Sequence, residues 1–160
     1  MADVKQKFGT NNQTITIGVA SLANNSARQG TAINNETDLF LDALVHVKLR
    51  SGSSGTSSTG ICLVYAYGTA DGGTTYTEGA SGSDSAITLT SPTNLRLIGI
   101  LNVVANSTTY NGGPFSVASA FGGSLPARWG IVIENRCGGT LSATAGDHAV
   151  FYQGVLAQSV

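Results

Sequence analysis

The chain has 160 residues, a formal net charge of −1 and 41% hydrophobic residues, with only 11% charged, against about 25% charged in an average soluble domain. That apolar content excludes intrinsic disorder, which pairs low hydrophobicity with high net charge. Eight basic residues scattered among nine acidic ones give no phosphate-binding stripe, so nucleic acid is not expected as a partner.

In chain order, residues 1–12 are polar, with Phe8 the large apolar anchor and Val4 beside it, and show no alternation. They are expected to form an N-terminal arm ahead of one domain over 13–160. No apolar stretch follows Lys5 and Lys7 as a secretory signal requires, and no run approaches a membrane span, so no membrane partner is expected. Residues 13–21 alternate Ile15, Ile17 and Val19 against Thr14 and Thr16, the period-two signature of a half-buried strand. A longer strand is predicted over 39–49, where Leu39, Leu41, Ala43, Val45, Val47 and Leu49 share one face and Asp42, His46 and Lys48 keep the other wet. The Ser/Gly/Thr tract 50–60 predicts a mobile hairpin loop.

Residues 61–67 are apolar on both faces: Ile61, Leu63, Tyr65 and Tyr67 on one, Cys62, Val64 and Ala66 on the other. Such a strand lies centrally in a sheet or turns one face to a partner. Val4, Phe8, Tyr65 and Tyr67 are therefore the candidate assembly contacts. Further strands are predicted over 85–90, 95–105, 115–121, 129–135 and 149–158. They are separated by turn signals that include Asp71-Gly72-Gly73, Asn111-Gly112-Gly113-Pro114, Gly122-Gly123 and Cys137-Gly138-Gly139. No capped 3.6-residue period appears, so the fold expected is an all-β sandwich, jelly-roll-like, with a short arm.

The residues offer no pattern for catalysis. His46 lies on the wet face of a strand, and His148 follows Asp147, an adjacency that sends strand side chains to opposite faces. No third ligand stands at metal spacing, no serine lies in a nucleophile elbow, and no lysine follows a phosphate-binding glycine loop. Cys62 and Cys137 fit neither a zinc pattern nor a disulfide scaffold and are expected to be reduced. No enzyme, cofactor or metal is expected. A carbohydrate-binding module is the alternative from another class, with Tyr65, Tyr67, Tyr76 and Tyr110 as its aromatic platform.

The phrases QTITIGVASL at 13–22 followed by Asn24, Asn25, Ser26, Ala27, Arg28 and Gln29, WGIVIEN at 129–135 with Gly138, Gly139, Thr140 and Leu141, and FYQGV at 151–155 resemble small virion structural proteins of tailed bacteriophages, of the head decoration or cement type. The resemblance runs over about 13–160. It implies a β-sandwich or jelly-roll subunit, usually trimeric, that binds the assembled major capsid protein or another virion protein. A tail, neck or baseplate component is the alternative within that class. It carries over no catalytic or cofactor residue. The low charge points the same way, since little electrostatic repulsion keeps neutral copies apart.

Overall fold

A computed structural model describes residues 3–160. Eleven strands follow one another: β1 Val4–Phe8, β2 Gln13–Thr14, β3 Ser26–Gln29, β4 Ile33–Asn34, β5 Asp42–Arg50, β6 Ile61–Thr69, β7 Ser85–Ile87, β8 Arg96–Asn102, β9 Thr109–Ser116, β10 Arg128–Arg136 and β11 Ala149–Ser159. All pair antiparallel in two sheets. The first runs β1–β11–β5–β9, with β2 also on β11, and the second runs β7–β3–β10–β6–β8, with β4 also on β10. β1 and β2 form one interrupted edge along β11, as β3 and β4 do along β10. Successive long strands change sheet except β6 and β8, and the first edge lies beside the last strand. That order is two interlocked Greek keys, a jelly-roll β-sandwich.

The core follows from the period of two. Ala43, Val45, Val47 and Leu49 point inward from β5 and meet Cys62, Val64 and Ala66 of β6, Trp129, Ile131 and Ile133 of β10, and Val150 and Tyr152 of β11. Leu39 and Leu41, expected on the same face, are instead 70% and 57% exposed. The ladder starts only at Asp42, and Leu39 has a left-handed backbone, φ 52°. The 13–21 segment keeps Ile15 and Val19 in the core but leaves the ladder after Thr14. Its backbone passes from Val150 of one sheet to Thr31 beside the other.

Three further expectations are corrected. The 50–60 connection is no hairpin, because β5 and β6 belong to different sheets. It crosses between them tied to neighbouring loops, Gly52 N–H to the Thr140 carbonyl at 2.9 Å and Ser57 N–H to the Cys137 carbonyl at 2.7 Å. The Asn111-Gly112-Gly113-Pro114 signal is not a turn but the middle of β9, where the register against β5 shifts between Val45 and Val47. Gly113 supplies the irregularity with φ 113°, where an added Cβ would strike the Val45 carbonyl. The strand expected over 115–121 accordingly shifts toward the N-terminus, and Ala118–Phe121 forms a short 3-10 turn.

β6 is apolar on both faces for a reason internal to the chain. Its outer side chains Leu63, Tyr65 and Tyr67 join Val132, Ala27, Tyr76, Ala80 and Leu95 in a second apolar cluster. The excursion between β6 and β8, residues 70–95, thus forms a partial third layer. Three carboxylates hold it. Asp71 accepts hydrogen bonds from the Thr69 hydroxyl and the Thr74 and Thr75 N–H groups. Glu78 accepts from the Thr90 hydroxyl and N–H and the Asn94 N–H. Asp84 accepts from Arg28 Nε at 2.6 Å and Gly18 N–H at 3.1 Å.

These donors lower the carboxyl pKa values. The Thr69 hydroxyl leads at Asp71, and the Thr90 hydroxyl leads at Glu78, which falls to about 2. At Asp84, burial pushes upward and the Arg28 and Gly18 bonds outweigh it. A carboxyl lowered by folding adds stability above its ordinary value near about 4 and withdraws it as the pH falls through the folded value. Acidification from about pH 4 toward about pH 2 is therefore expected to lift the excursion before the core melts. Hydrogen-exchange protection factors should collapse first at Thr74, Thr75, Thr90 and Asn94 and later at Val64 and Ile131. Simultaneous loss at both sets would refute a separately held layer.

Candidate functional site

The polar cluster of most chemical interest lies at one end of the sandwich, where the loop after β10 meets the end of β5. Ser142, Asp147, His148 and Arg50 converge there beside a groove of about 570 Å3 lined largely by serine and threonine. The short 3-10 turn Ala145–Asp147 lets Asp147 and His148 both reach Ser142, which strand geometry would forbid. The bonds are not those of an activated nucleophile. The Ser142 hydroxyl donates to Asp147 Oδ2 at 2.6 Å, and His148 Nε2 lies 2.9 Å from the Ser142 carbonyl oxygen, not its hydroxyl. His148 Nδ1 accepts the Arg50 N–H at 3.4 Å. Both imidazole nitrogens are engaged with backbone, so neither is placed to take a proton from Ser142. The Ser142 hydroxyl first, and the Arg50 and Lys48 charges after it, hold the Asp147 carboxyl below its ordinary range. The arrangement fastens the loop.

The thiols are part of the interior. Cys62 and Cys137 are free and fully buried around Asn135, itself fully buried. Asn135 Oδ1 accepts from Cys137 N–H at 3.0 Å and faces Cys62 Sγ at 3.6 Å, and its amide donates to the Leu22 and Gly139 carbonyls, each at 2.9 Å. Every polar capacity of that side chain is used. Burial first, and nearby Cys137 second, push the Cys62 thiol up to about 12, so it stays protonated and inert. A thiol reagent such as dithionitrobenzoate should label neither cysteine in the native protein and both in denaturant. A native protein that reacts at once would show that these positions open readily.

The tyrosines form no platform. Tyr67 is fully buried, and Tyr65 and Tyr76 are 7% and 9% exposed. The Tyr110 hydroxyl is occupied by the Val104 and Ala105 N–H groups at 3.1 and 2.7 Å. The assignment of Tyr65 and Tyr67 to an assembly contact is corrected accordingly. Both lie beneath the chain's own 70–95 excursion, with the Tyr67 hydroxyl donating to the Gly30 carbonyl at 2.6 Å. His46 stacks on Phe151 across the outer face of the first sheet, centroids 5.4 Å apart. Among the described residues no three His, Cys, Asp or Glu side chains converge as metal ligands.

Val4 and Phe8 are placed differently. The segment expected to be an N-terminal arm without strand pattern holds strand β1, paired with the end of β11 from Val4 opposite Ser159 to Phe8 opposite Val155. The alternation test missed it because an edge strand exposed on both faces is held by backbone bonds, not by an apolar stripe. All five β1 residues are exposed, Val4 at 73% and Phe8 at 52%. β5 ends opposite Val155, so beyond it β1 and β11 continue as a two-stranded ribbon.

The 35–41 loop lies against this ribbon. Leu41 N–H donates to the Val155 carbonyl at 2.7 Å, and Leu41 shares a shallow hollow with Val4, Leu156 and Ala157. Asn35 clamps the loop, its amide donating to the Phe40 carbonyl at 2.9 Å and its oxygen accepting the Phe40 N–H at 2.8 Å. The Phe40 ring packs over Gly9 and Gly154, which leave room for it. Leu39 is thereby displayed rather than buried. Val4 and Leu41, 73% and 57% exposed, line this hollow, and Phe8, Leu39 and Val160, 52% or more exposed, lie along the ribbon and its neighbour loop. Sequence reasoning missed Leu39, Leu41 and Val160. The one signal for the first was Asn34-Asn35 just before it, a turn that could have ended the alternation. Compared with protein-family models, with curated proteins and with solved structures, the chain finds no match.

Proposed function

We propose that this protein is a non-enzymatic structural subunit of a tailed-phage virion, a decoration or cement protein seated on assembled capsid protein. The observation that carries the proposal is the β1–β11 ribbon with its clamped neighbour loop. Large apolar side chains exposed along the ribbon and its clamped neighbour loop form the kind of surface that marks a protein contact. The jelly-roll order supports it, as an architecture common in capsid proteins, and so does the phrase-level resemblance to phage virion proteins. The charge-poor surface favours several copies together, and the resemblance implies a trimer. The apolar outer face of β6 no longer contributes to that reasoning, since the excursion covers it.

Particles purified from a phage lysate that produces this chain should contain it in many copies, and electron microscopy should place it on the head. Removal of residues 1–12 should leave the melting temperature nearly unchanged, because β1 is exposed along its length, and should abolish attachment. Absence of the full chain from purified particles, or equally tight attachment of the truncated one, would overturn the proposal.

A further inference from the structure

We infer that β1 is a receptor edge that takes one more strand, supplied by an extended segment of a different protein with acidic residues at alternate positions. The inference rests on the assembly proposal only in taking β1 as the attachment element, and starts from the hydrogen-bond register of the ribbon. Asp3 and Val160 exchange both backbone bonds, at 3.1 and 2.9 Å, and Gly9 N–H donates to the Gly154 carbonyl at 2.8 Å. Hydrogen-bonded pairs alternate along an antiparallel ladder. Lys5 and Lys7 therefore also turn their backbone groups toward β11, opposite Gln158 and Leu156. Val4, Gln6 and Phe8 turn their N–H and C=O groups the other way, to an edge with no strand beside it among the described residues.

An open edge invites a second copy, and in the register that uses the whole of it the charges oppose one. Facing residues of two antiparallel β1 strands have numbers with a constant sum. The register that pairs all of Val4, Gln6 and Phe8 sets Lys5 opposite Lys7 of the other copy, twice. A shift of two residues one way sets Lys7 opposite itself, while the other way sets Lys5 opposite itself but brings Asp3 opposite Lys7 twice. The register that uses the whole edge is thus the one in which lysine meets lysine twice with no carboxylate to offset it. These fall at non-hydrogen-bonded positions, where side chains approach closest, and like charges directly opposite destabilise a pair. Lysines on an edge are a recognised guard against self-association. Among the described residues neither Lys5 nor Lys7 has a carboxylate within 4.0 Å.

The same geometry states what the edge accepts. A strand with Asp or Glu opposite Lys5 and Lys7, and apolar residues opposite Val4 and Phe8, satisfies six free backbone groups and both charges at once. Strand addition of this kind takes affinity from the backbone and selectivity from alternate side chains.

The test uses a synthetic peptide alternating valine and glutamate, and its counterpart with lysine for glutamate, read by fluorescence anisotropy on the full chain. The glutamate peptide is expected to bind and to protect the Val4, Gln6 and Phe8 amides from hydrogen exchange, with the lysine peptide at least about tenfold weaker. Gln6→Pro removes an outward N–H that β11 does not use, a place where an edge strand tolerates proline, and should weaken binding about fivefold or more. Lys5→Glu combined with Lys7→Glu should invert the peptide preference. Equal binding of both peptides, indifference to Gln6→Pro, or a β1-to-β1 dimer in solution would overturn the inference. Particle attachment of the same variants separates the two proposals. A Gln6→Pro chain that attaches as tightly as the unaltered one removes strand addition and leaves the virion assignment standing. A chain that binds the glutamate peptide but is missing from particles does the reverse.

Discussion

Val47→Asp is expected to leave no folded protein. Val47 is 1% exposed on the inner face of β5, opposite Val150 of β11 and Gly112 of β9. None of those neighbours offers a side-chain donor. A carboxylate placed there must either stay charged in an apolar core or bind a proton, and either course costs several kcal/mol. That is a large part of the roughly 5–15 kcal/mol by which a domain of this kind is stable. The next residue provides the control. Lys48 points to the other face, its ammonium 3.4 Å from the Gly146 carbonyl oxygen, and Lys48→Ala should stay within about 0.5 kcal/mol. Far-ultraviolet circular dichroism and chemical denaturation distinguish the two. A Val47→Asp chain with a native-like transition would mean that β5 is in the wrong register.

Gly130→Ala is the second substitution with a large expected effect, though it adds a single methyl group. Gly130 is an ordinary strand residue opposite Tyr67, so no backbone strain enters. Its importance is the missing side chain. A Cβ there would collide with the hydroxyl end of the Tyr67 ring. That ring lies over β10 and delivers its hydroxyl to the Gly30 carbonyl at the break between β3 and β4. It also meets the Tyr76 ring edge-on, centroids 5.4 Å apart. Displacing it should cost about 1–3 kcal/mol in overpacking and about as much again for the orphaned carbonyl. In a chain already carrying Tyr67→Ala, a change worth about 3–5 kcal/mol alone, Gly130→Ala should be close to neutral. A coupling energy of about 2 kcal/mol or more is expected from the double-mutant cycle. Strictly additive costs would show that Tyr67 does not depend on the gap.

The sequence displayed what one strand can display by itself. Alternation marks Ala43, Val45, Val47 and Leu49 because the two faces of β5 meet different media, core within and water without. It also marks β6, but could not tell its two possible covers apart. Whether Leu63, Tyr65 and Tyr67 met a partner or the chain's own excursion depended on where residues 70–95 return, a non-local matter. β9 was misread because glycine and proline signal a turn in isolation, while here they produce an irregular strand beside β5. β1 was missed because its pairing uses backbone groups, which every sequence has. Of the candidate site, Val4 and Phe8 were legible as large apolar residues with nothing local to bury them. Leu39 and Leu41 were not, since they continue an apolar alternation and only the left-handed Leu39 and the Asn35 clamp turn them outward.

The sheet order also fixes when this protein can become itself. β11 lies between the β1–β2 edge and β5 in the first sheet, yet it is made after all ten strands that precede it. Until it has been made, β5 lacks one neighbour, β1 and β2 lack their only one, and the inward row Ala43, Val45, Val47 and Leu49 faces an incomplete layer. Partial products gain little by folding piecemeal, because the distant pairings must close before they are rewarded. Closure is therefore a single late event, on the slower, millisecond-to-second side of small-domain folding. During synthesis, at roughly 5–20 residues per second, the chain passes through a stage in which apolar strands stand uncovered and open to misassembly.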